Sequence, residues 1–415
     1  FNHALDFIDQ HNDEPFFIYL PVNTPHSPMQ VPQRYWDRFE DKAITPDPEI
    51  QNAKRENVQH TRAALAMCEN IDDNVGRLLD HLDHHNLETN TIVVYFSDNG
   101  PNGSRFNGGL RGRKGSVYEG GLRSPCLIRY PARIAAGHQV DQVGAAIDLL
   151  PTLADLAGIE SKADRKSKPL DGTSLATALT KSSPSTADRL IFSAWKQKYS
   201  VRSQRFRYHL DGSLYEIDSD AGEQNDVSSK HPQVTARMKA ALDAWISETH
   251  PSPAKAQADR PFPVGHPGSL WTQLPARDAT ASGTLQRSNR FPNCTFFGNW
   301  IDTDSTIRWN VNVLTAGTYQ VQLFYACKQT DVGSTIELSL GDAVLSSRID
   351  RANESPFLGG LHDRVPRQEG EVRDWRPMIM GQIDLPAGSA ELTLRATEIA
   401  GNEVGEMRLL MLKRL

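Results

Sequence analysis

The run Thr91-Ile-Val-Val-Tyr-Phe-Ser-Asp-Asn-Gly100 decides how the first part of this chain folds. Its first six residues are β-branched or aromatic, which predicts a buried strand. In an open α/β sheet, ligands bind beyond the carboxyl ends of the strands, so we expect Asp98 and Asn99 to lie at such an edge. A carboxylate beside a carboxamide offers the hard oxygen ligands that Ca²⁺ or Mg²⁺ prefers.

A glycine-rich run follows this strand and supplies a positive charge. Leu110-Arg-Gly-Arg-Lys-Gly-Ser116 places Lys114 close in sequence to the Asp98-Asn99 pair. A divalent cation and an ammonium group at one site suit an anionic tetrahedral group. His26 follows a second predicted strand, 15–21, and is expected at the same kind of sheet edge.

The bulk properties exclude several classes of function. The 415 residues are enough for two or three domains, and the formal net charge of −6 provides no basic field for nucleic acid or for an anionic membrane surface. No apolar run approaches the roughly 20 residues of a membrane span. The cysteines have neither zinc-site spacing nor the density of a disulfide scaffold: Cys68, Cys126, Cys294 and Cys327.

Residues 1–175 alternate between predicted strands and helices, which indicates an α/β domain. An amphipathic helix opens the chain, and the predicted strands are 15–21, 91–97 and 124–130, with a proline-rich loop reaching residue 48. A helix over 57–86 carries an apolar stripe that packs on the sheet. Its end, Asp80-His-Leu-Asp-His-His85, resembles a metal cluster, but we interpret it as a solvated helix terminus with histidines near the negative end of the dipole. Another helix is predicted over 145–157, ended by Gly158 and followed by a polar loop over 160–172.

Residues 176–250 predict a small antiparallel subdomain. Four short strands are expected, with Asp211-Gly212 as a hairpin turn between the last two: 190–193, 199–202, 206–210 and 214–217. A helix over 232–248 closes the subdomain.

The remaining sequence is interpreted as a spacer and a β-sandwich. Residues 251–270 are rich in proline, which breaks both helix and strand. In 271–415, apolar residues alternate with polar ones in four segments: 309–313, 319–325, 335–340 and 391–395. The tryptophans of this module suit either carbohydrate binding or a structural cap or dimer contact: Trp271, Trp300, Trp309 and Trp375. The charged segment 361–370 is expected to be a surface loop.

Three motifs together resemble the formylglycine-dependent sulfatases of the alkaline-phosphatase-like superfamily. They occur in family order and with family-like spacing: Pro25-His-Ser-Pro28, Phe96-Ser-Asp-Asn-Gly-Pro101 and Gly108-Gly-Leu-Arg-Gly-Arg-Lys-Gly-Ser-Val-Tyr-Glu-Gly-Gly-Leu-Arg-Ser-Pro125. The resemblance covers about residues 1–250 and implies a sulfuric ester hydrolase that acts on a sulfated carbohydrate or a small sulfate ester.

The resemblance also implies roles for individual residues. Asp98 and Asn99 would bind one Ca²⁺, in preference to Mg²⁺, and Lys114 would contact the sulfate group. His26 would contact sulfate as well and protonate the departing alcohol. Glu119 and Arg123 are expected to form a buried ion pair that supports the glycine-rich loop. The family further implies a secreted or periplasmic protein.

One part of the family pattern is absent from the sequence. Such sulfatases have an early Asp-Asp calcium pair and a Cys-x-Pro-x-Arg segment, whose cysteine becomes the formylglycine nucleophile, and none of the four cysteines begins that segment. We therefore interpret the chain as the later part of a sulfatase, with formylglycine in an upstream segment, and expect it to be inactive alone.

Two other functions remain open at this stage. A phosphodiesterase or phosphonate hydrolase of the same superfamily would present a similar tetrahedral-anion site. A non-catalytic glycan-binding protein, made from a decayed sulfatase half and a lectin-like module, is the third possibility. The sequence leaves the oligomeric state and the identity of the sugar open.

Overall fold

The computed structural model describes residues 1–44, 56–159, 168–181, 188–249, 260–365 and 367–415. The chain divides into two compact units, Phe1–Ser27 with Val31–Ala256, and Pro28–Gln30 with Gln257–Leu415. The first unit is mixed α/β and the second is all-β, as the sequence predicts. The end of the proline-rich loop up to residue 48, the first part of the polar loop at 160–167 and the spacer residues 251–259 lie outside the described residues.

The helices at the start of the first unit follow the apolar pattern of the sequence. They are α1 (Asn2–His11), α2 (Gln33–Glu40) and α3 (Val58–His84). The side chain of Asn57 accepts a hydrogen bond from the amide of His60, which satisfies one of the free N–H groups at the start of α3. The predicted apolar stripe is buried at Ala64, Ile71 and Leu82.

Two short strands replace the predicted longer ones around the Asp98 turn. Strands β1 (Val93–Phe96) and β2 (Cys126–Arg129) pair antiparallel, with Val93 opposite Arg129 and Phe96 opposite Cys126. The carboxyl end of β1 is therefore beside the amino end of β2, and the turn with Asp98 and Asn99 leaves from there.

The predicted strand over 15–21 is wrong. This segment has no strand partner among the described residues, and Phe17 and Tyr19 are 78% and 74% exposed. An apolar and aromatic segment forms a strand only when a neighbouring strand takes up its backbone hydrogen bonds.

One short helix lies between β1 and β2, and two more follow β2. They are α4 (Glu119–Leu122), α5 (Leu149–Leu156), preceded by a 3₁₀ turn at Ala146–Asp148, and α6 (Ala176–Thr180). The predicted helix over 145–157 is thus confirmed in a slightly shorter form. The buried Asp148 carboxylate accepts hydrogen bonds from the amides of Ala145 and Thr173 and from Arg189, at 2.7–2.9 Å.

The predicted antiparallel subdomain is present. Strands β3 (Ile191–Trp195), β4 (Lys198–Arg202), β5 (Phe206–His209) and β6 (Leu214–Glu216) pair in sequence order, and α7 (Pro232–Thr249) covers their apolar face. Gly212 has φ +97°, a conformation that a glycine adopts without strain, and it forms the predicted hairpin turn.

The second unit is a sandwich of two six-stranded sheets around one apolar core. One sheet contains β8 (Trp271–Pro275), β10 (Gln286–Arg287), β11 (Phe297–Gly298), β13 (Gly317–Ala326), β16 (Arg376–Leu385) and β18 (Glu406–Arg414). The other contains β7 (Phe262–Val264), β9 (Thr280–Ala281), β12 (Thr306–Val313), β14 (Thr335–Leu340), β15 (Ala343–Arg348) and β17 (Gly388–Glu398).

Strand β7 lies inside the predicted proline-rich spacer. It pairs parallel to β12 at the end of its sheet, and Val264 is fully buried. An edge strand tolerates Pro263 because the missing N–H group is needed only by an inner strand. Proline therefore did not break the strand at this position.

Burial settles the role of two of the tryptophans in the second unit. Trp300 and Trp309 are almost fully buried in the sandwich core. Among its described residues, the segment 361–370 has no strand and ends in a 3₁₀ turn at Gln368–Gly370, in agreement with the predicted loop. The side chain of Asp363 is buried and accepts hydrogen bonds from the amide of Met29 and from Arg367. In the described part of the chain, no helix has the length and apolar character needed to cross a membrane.

Candidate active site

The turn after β1 presents two side-chain oxygen ligands. Ser97 closes the turn against the segment before β2, since its carbonyl accepts a hydrogen bond from Ser124 Oγ at 2.7 Å. The side-chain Nδ2 of Asn99 donates a hydrogen bond to the carbonyl of Gly100 at 2.9 Å, which leaves the Oδ1 atom of Asn99 available. Asp98 is exposed, and no described residue pairs with its carboxylate. This donor set, one carboxylate and one amide oxygen, fits a hard cation such as Ca²⁺.

Backbone hydrogen bonds fasten the glycine-rich loop to this turn. The amide of Gly100 donates to the carbonyl of Gly121 at 3.0 Å, and the amide of Lys114 donates to the carbonyl of Pro101 at 2.9 Å. A Cβ atom on Gly100 would collide with the carbonyl of Gly120, and one on Gly120 would lie 2.6 Å from the carbonyl of Arg111. Glycine is required here because the two backbone segments touch directly.

The Lys114 side chain is half-buried and unpaired. Among the described residues, no carboxylate lies within 4.0 Å of its ammonium group. A backbone hydrogen bond thus joins the segment that carries Lys114 to Pro101, which follows the turn with Asp98 and Asn99. Among the described residues, no hydrogen bond or ion pair joins the three side chains.

The buried carboxylate of Glu119, which follows the glycine-rich loop in sequence, pairs with two arginines. Glu119 pairs with Arg202 Nε at 3.1 Å and with Arg207 Nη2 at 2.5 Å, and all three side chains are buried. Burial by itself would raise the pKa of Glu119, but Arg207 and then Arg202 outweigh it, so the pKa lies below its ordinary value. Burial lowers the pKa of Arg202, and Glu119 partly offsets that effect.

The predicted ion pair between Glu119 and Arg123 is wrong. Helix α4 ends at Leu122, and Arg123 continues in an extended conformation with its side chain exposed. The two side chains therefore do not share a helix face, and only the backbone of Arg123 contacts Glu119, through an N–H···O bond of 2.7 Å.

A second buried carboxylate extends the network. Glu223 Oε2 accepts a hydrogen bond from the amide of Glu119 at 2.8 Å, and its Oε1 lies 2.8 Å from His209 Nε2. Arg111, at the start of the glycine-rich loop, donates to the carbonyl of Glu223 at 2.9 Å and lies over the Tyr118 ring. Sequence analysis missed these supporting residues, because most of the contacts join positions about a hundred apart and no local motif indicates them.

His26 lies in a turn that is separate in sequence from the Asp98 turn. Its amide donates to the carbonyl of Asn23, and its Nδ1–H donates to the carbonyl of Ser27 at 2.9 Å. The exposed Nε2 atom is then the one left to exchange a proton. In the parts of the chain that the structure describes, no hydrogen bond, ion pair or ring contact joins His26 to Asp98, Asn99 or Lys114.

Comparisons with known proteins identify relatives of the first part of the chain. Residues 1–159 match the family model described as Sulfatase, and residues 113–248 match the model for the C-terminal part of N-sulphoglucosamine sulphohydrolase. A sulfatase of Formosa agariphila is 28% identical over 269 residues, which cover 56% of this chain and 46% of that protein. The N-acetylgalactosamine-6-sulfatase of Mus musculus is 32% identical over 197 residues, 46% of this chain and 33% of that protein.

A solved structure shares the fold. The crystal structure of Ps i-CgsB superimposes with a TM-score of 0.50 and 29% sequence identity, covering 59% of this chain and 53% of that one. The chain spans about half the length of these relatives, or less. The matching family models end at residue 248, at the end of α7, so they do not include the β-sandwich. The two family models together match residues 1–248, and this part of the chain therefore belongs to the sulfatase family of the alkaline-phosphatase-like superfamily.

Proposed function

We propose that this chain is the later part of a sulfatase that removes sulfate from a sulfated carbohydrate. The observation that carries the proposal is the loop with Lys114, unpaired and held by a backbone hydrogen bond to the turn that follows Asp98 and Asn99. Relatives support the substrate class: the mouse protein is named an N-acetylgalactosamine-6-sulfatase, and Ps i-CgsB was solved in complex with k-i-k-neocarrahexaose.

Each site residue has one task in this proposal. Asp98 and Asn99 are ligands of Ca²⁺, which, when bound, neutralises negative charge on the sulfate oxygens. Lys114 donates from its ammonium group to the sulfate group. A lysine suits this task because it is a compact charge with three rotatable donors, whereas the planar fork of an arginine would bind in a different geometry. His26 Nε2 delivers a proton to the oxygen of the departing alcohol.

The nucleophile belongs to a segment upstream of this sequence in the proposal. The hydrate of a formylglycine made from a Cys-x-Pro-x-Arg segment would supply the hydroxyl nucleophile, and no such segment occurs in the 415 residues. Large apolar side chains are exposed on the first unit, at Phe17, Tyr19, Phe96 and Leu127, which is consistent with further polypeptide packing against this unit. We therefore expect no turnover from this chain alone, and we propose that the whole protein is secreted or periplasmic.

The experiment compares the chain alone with a protein that carries an upstream sulfatase segment. Both are assayed with an aryl sulfate, with sulfated oligosaccharides, and with a phosphodiester and a phosphonate. The proposal expects sulfate release only from the extended protein, and it expects Lys114→Ala to lower kcat/KM by about 100-fold or more. Lys230→Ala, at an exposed position in the same unit, is the matched control and should retain full activity.

Three outcomes would contradict parts of the proposal. Strong activity of the chain alone would refute the need for an upstream nucleophile. A preference for the phosphodiester or phosphonate would establish the alternative hydrolase. Glycan binding without hydrolysis by the extended protein would support a non-catalytic function.

The role of His26 has a separate test in the leaving group. A general acid matters most when the departing alcohol is a poor leaving group, such as a sugar hydroxyl, and least for a nitrophenol. We expect His26→Ala in the extended protein to lower sulfate release from a sugar by about 100-fold or more and to have a much smaller effect on an activated aryl sulfate. Equal losses on both substrates would assign His26 to sulfate binding only.

A further inference from the structure

The first unit contains a cluster of metal-ligating side chains outside the candidate active site. Asp9 on α1 faces His81 and His85 at the end of α3, and the three ligand atoms all lie within 4.8 Å of one another. We propose that Asp9, His81 and His85 form a binding site for a transition-metal ion, with Zn²⁺ as the preferred ion. The sequence alone favoured a solvated helix terminus, because Asp9 is more than 70 positions away from the histidines and no local motif joins them.

The spacing of the two histidines suits a shared ligand. Positions 81 and 85 are four apart, so the side chains project from one face of the helix end, the arrangement by which helical histidine pairs bind zinc. The Nε2 atoms of both histidines lie 2.9 Å from the same oxygen, Asp9 Oδ1. Ligand atoms around a tetrahedral zinc with bonds of 2.0–2.2 Å are about 3.4 Å apart. Small side-chain shifts therefore convert the cluster into a coordination shell.

Burial distinguishes this cluster from an ordinary surface pair. The side chains of His81 and His85 are only 21% and 22% exposed, whereas Asp9 is 51% exposed. The Nε2 atom of His81 is buried and makes no hydrogen bond, although Asp9 is close to it. A buried imidazole nitrogen without a hydrogen bond is a costly arrangement that a metal bond would relieve. Three protein ligands leave a fourth position, which water can occupy from the exposed side of Asp9.

A neighbouring amide can set the required tautomer. Metal binding needs Nε2 deprotonated on both rings, so the proton of neutral His85 must reside on Nδ1. Asn12 lies beside that atom, with its Nδ2 at 3.3 Å from His85 Nδ1. Rotating the amide by half a turn places Oδ1 there instead, where it accepts a hydrogen bond from Nδ1–H.

The donor set favours particular metals. Two imidazole nitrogens and one carboxylate suit Zn²⁺, Ni²⁺ or Cu²⁺, while Ca²⁺ and Mg²⁺ require mainly oxygen ligands. The oxygen ligands of Asp98 and Asn99 have the opposite preference. Because the cluster joins α1 to the end of α3, a bound ion would also hold these two helices together.

The test is a Zn²⁺ titration of the tag-free protein in excess Ca²⁺, followed by calorimetry. We expect one Zn²⁺ per chain, and at least tenfold weaker binding in His81→Ala and in His85→Ala. His84→Ala is the matched control, because His84 is exposed on the same helix end and contributes no atom to the cluster. Zn²⁺ should raise the melting temperature of the wild type and of the His84 variant, but not that of the other two.

A measurement on the wild-type protein guards against variants that fail to fold. In ¹⁵N spectra of the imidazole rings, Zn²⁺ should shift the Nε2 signals of His81 and His85 and leave His84 unchanged. The absence of stoichiometric binding, or equal binding by the His81 and His84 variants, would overturn the proposal. The cluster would then be a metal-free contact in which Asp9 bridges the two histidines.

Discussion

Removal of the Glu119 charge tests most directly how the glycine-rich loop with Lys114 is held in place. Glu119 lies between two buried guanidinium groups, those of Arg202 and Arg207, and its backbone amide donates to Glu223. Glu119→Gln preserves the shape of the side chain but leaves two buried arginines with one carboxylate, Glu223, which is 3.7 Å from Arg207 Nε. An uncompensated buried charge is the consequence.

The expected magnitude follows from the burial of the group. Breaking a buried ion pair by removing one partner costs about 3–5 kcal/mol, because the remaining charge stays desolvated. For a unit of about 250 residues, each kcal/mol lowers the melting temperature by about 2–4 °C, so we expect a decrease of roughly 6–20 °C. The control is Glu216→Gln, which removes the partner of the exposed Arg205 and should cost at most about 1 kcal/mol.

The assay must separate the two units of the chain. Scanning calorimetry is combined with hydrogen exchange of peptides from 110–122 and from the sandwich, so that each transition is assigned to its unit. In Glu119→Gln, we expect the transition of the first unit to fall and exchange in 110–122 to accelerate, while the sandwich is unchanged. A shift no larger than that of Glu216→Gln would refute the conclusion that this network supports the loop.

Further predictions concern the pH dependence of Glu119, two glycines of the first unit and a core tryptophan of the sandwich. The folded-state pKa of Glu119 is lowered, so the stability that it contributes should be fully present above the ordinary carboxyl pKa of about 4.3 and should be lost as the pH falls through the lowered value. Calorimetry from pH 6 to pH 3 should therefore show a steeper loss in the wild type than in Glu119→Gln, and parallel curves would contradict this. Gly100→Ala should destabilise the first unit, because its Cβ would meet the carbonyl of Gly120. Gly76→Ala, in α3 with nothing within 4 Å, should stabilise the unit by up to about 1 kcal/mol, and thermal unfolding measures both. Trp309→Ala should cost about 3–5 kcal/mol and lower only the sandwich transition, since Trp309 is a core side chain whose Nε1 donates to the carbonyl of Pro275; an unchanged sandwich transition would contradict its core role.

Local patterns in the sequence predicted the elements whose stabilising contacts are themselves local. The stripe of α3 and the hairpin at Asp211-Gly212 depend on neighbours within a few positions. The fold class and the turn with Asp98 and Asn99 after β1 were predictable from the elements that the local sequence favours. The absence of a strand at 15–21 could not be predicted, because a strand forms only when a distant strand pairs with it.

Two of the sandwich strands that the sequence did not predict, β16 and β18, were missed for different reasons. Strand β18 contains Leu409-Leu-Met-Leu-Lys413, whose residues favour helix and do not alternate, and its register with β13 shifts between Phe324 and Tyr325. Strand β16 contains Pro377 and Gly381, which normally argue against a strand. It lies at a sheet edge, where a proline is tolerated, and Gly381 lies where the register with β13 shifts.

The contacts that support the glycine-rich loop with Lys114 also indicate where the candidate catalytic part of the chain ends. Sequence analysis placed one domain over 1–175 and a subdomain over 176–250, yet Arg202 on β4 and Arg207 on β5 neutralise Glu119, which belongs to the earlier segment. A chain cut at residue 175 would leave that carboxylate buried without either arginine, or would expose it to water and release the loop. The small antiparallel sheet is therefore a structural component of the site, since it supplies the charges that allow the glycine-rich segment to pack against the Asp98 turn. Lys114 owes its position to residues about ninety positions later in the chain as much as to its own motif.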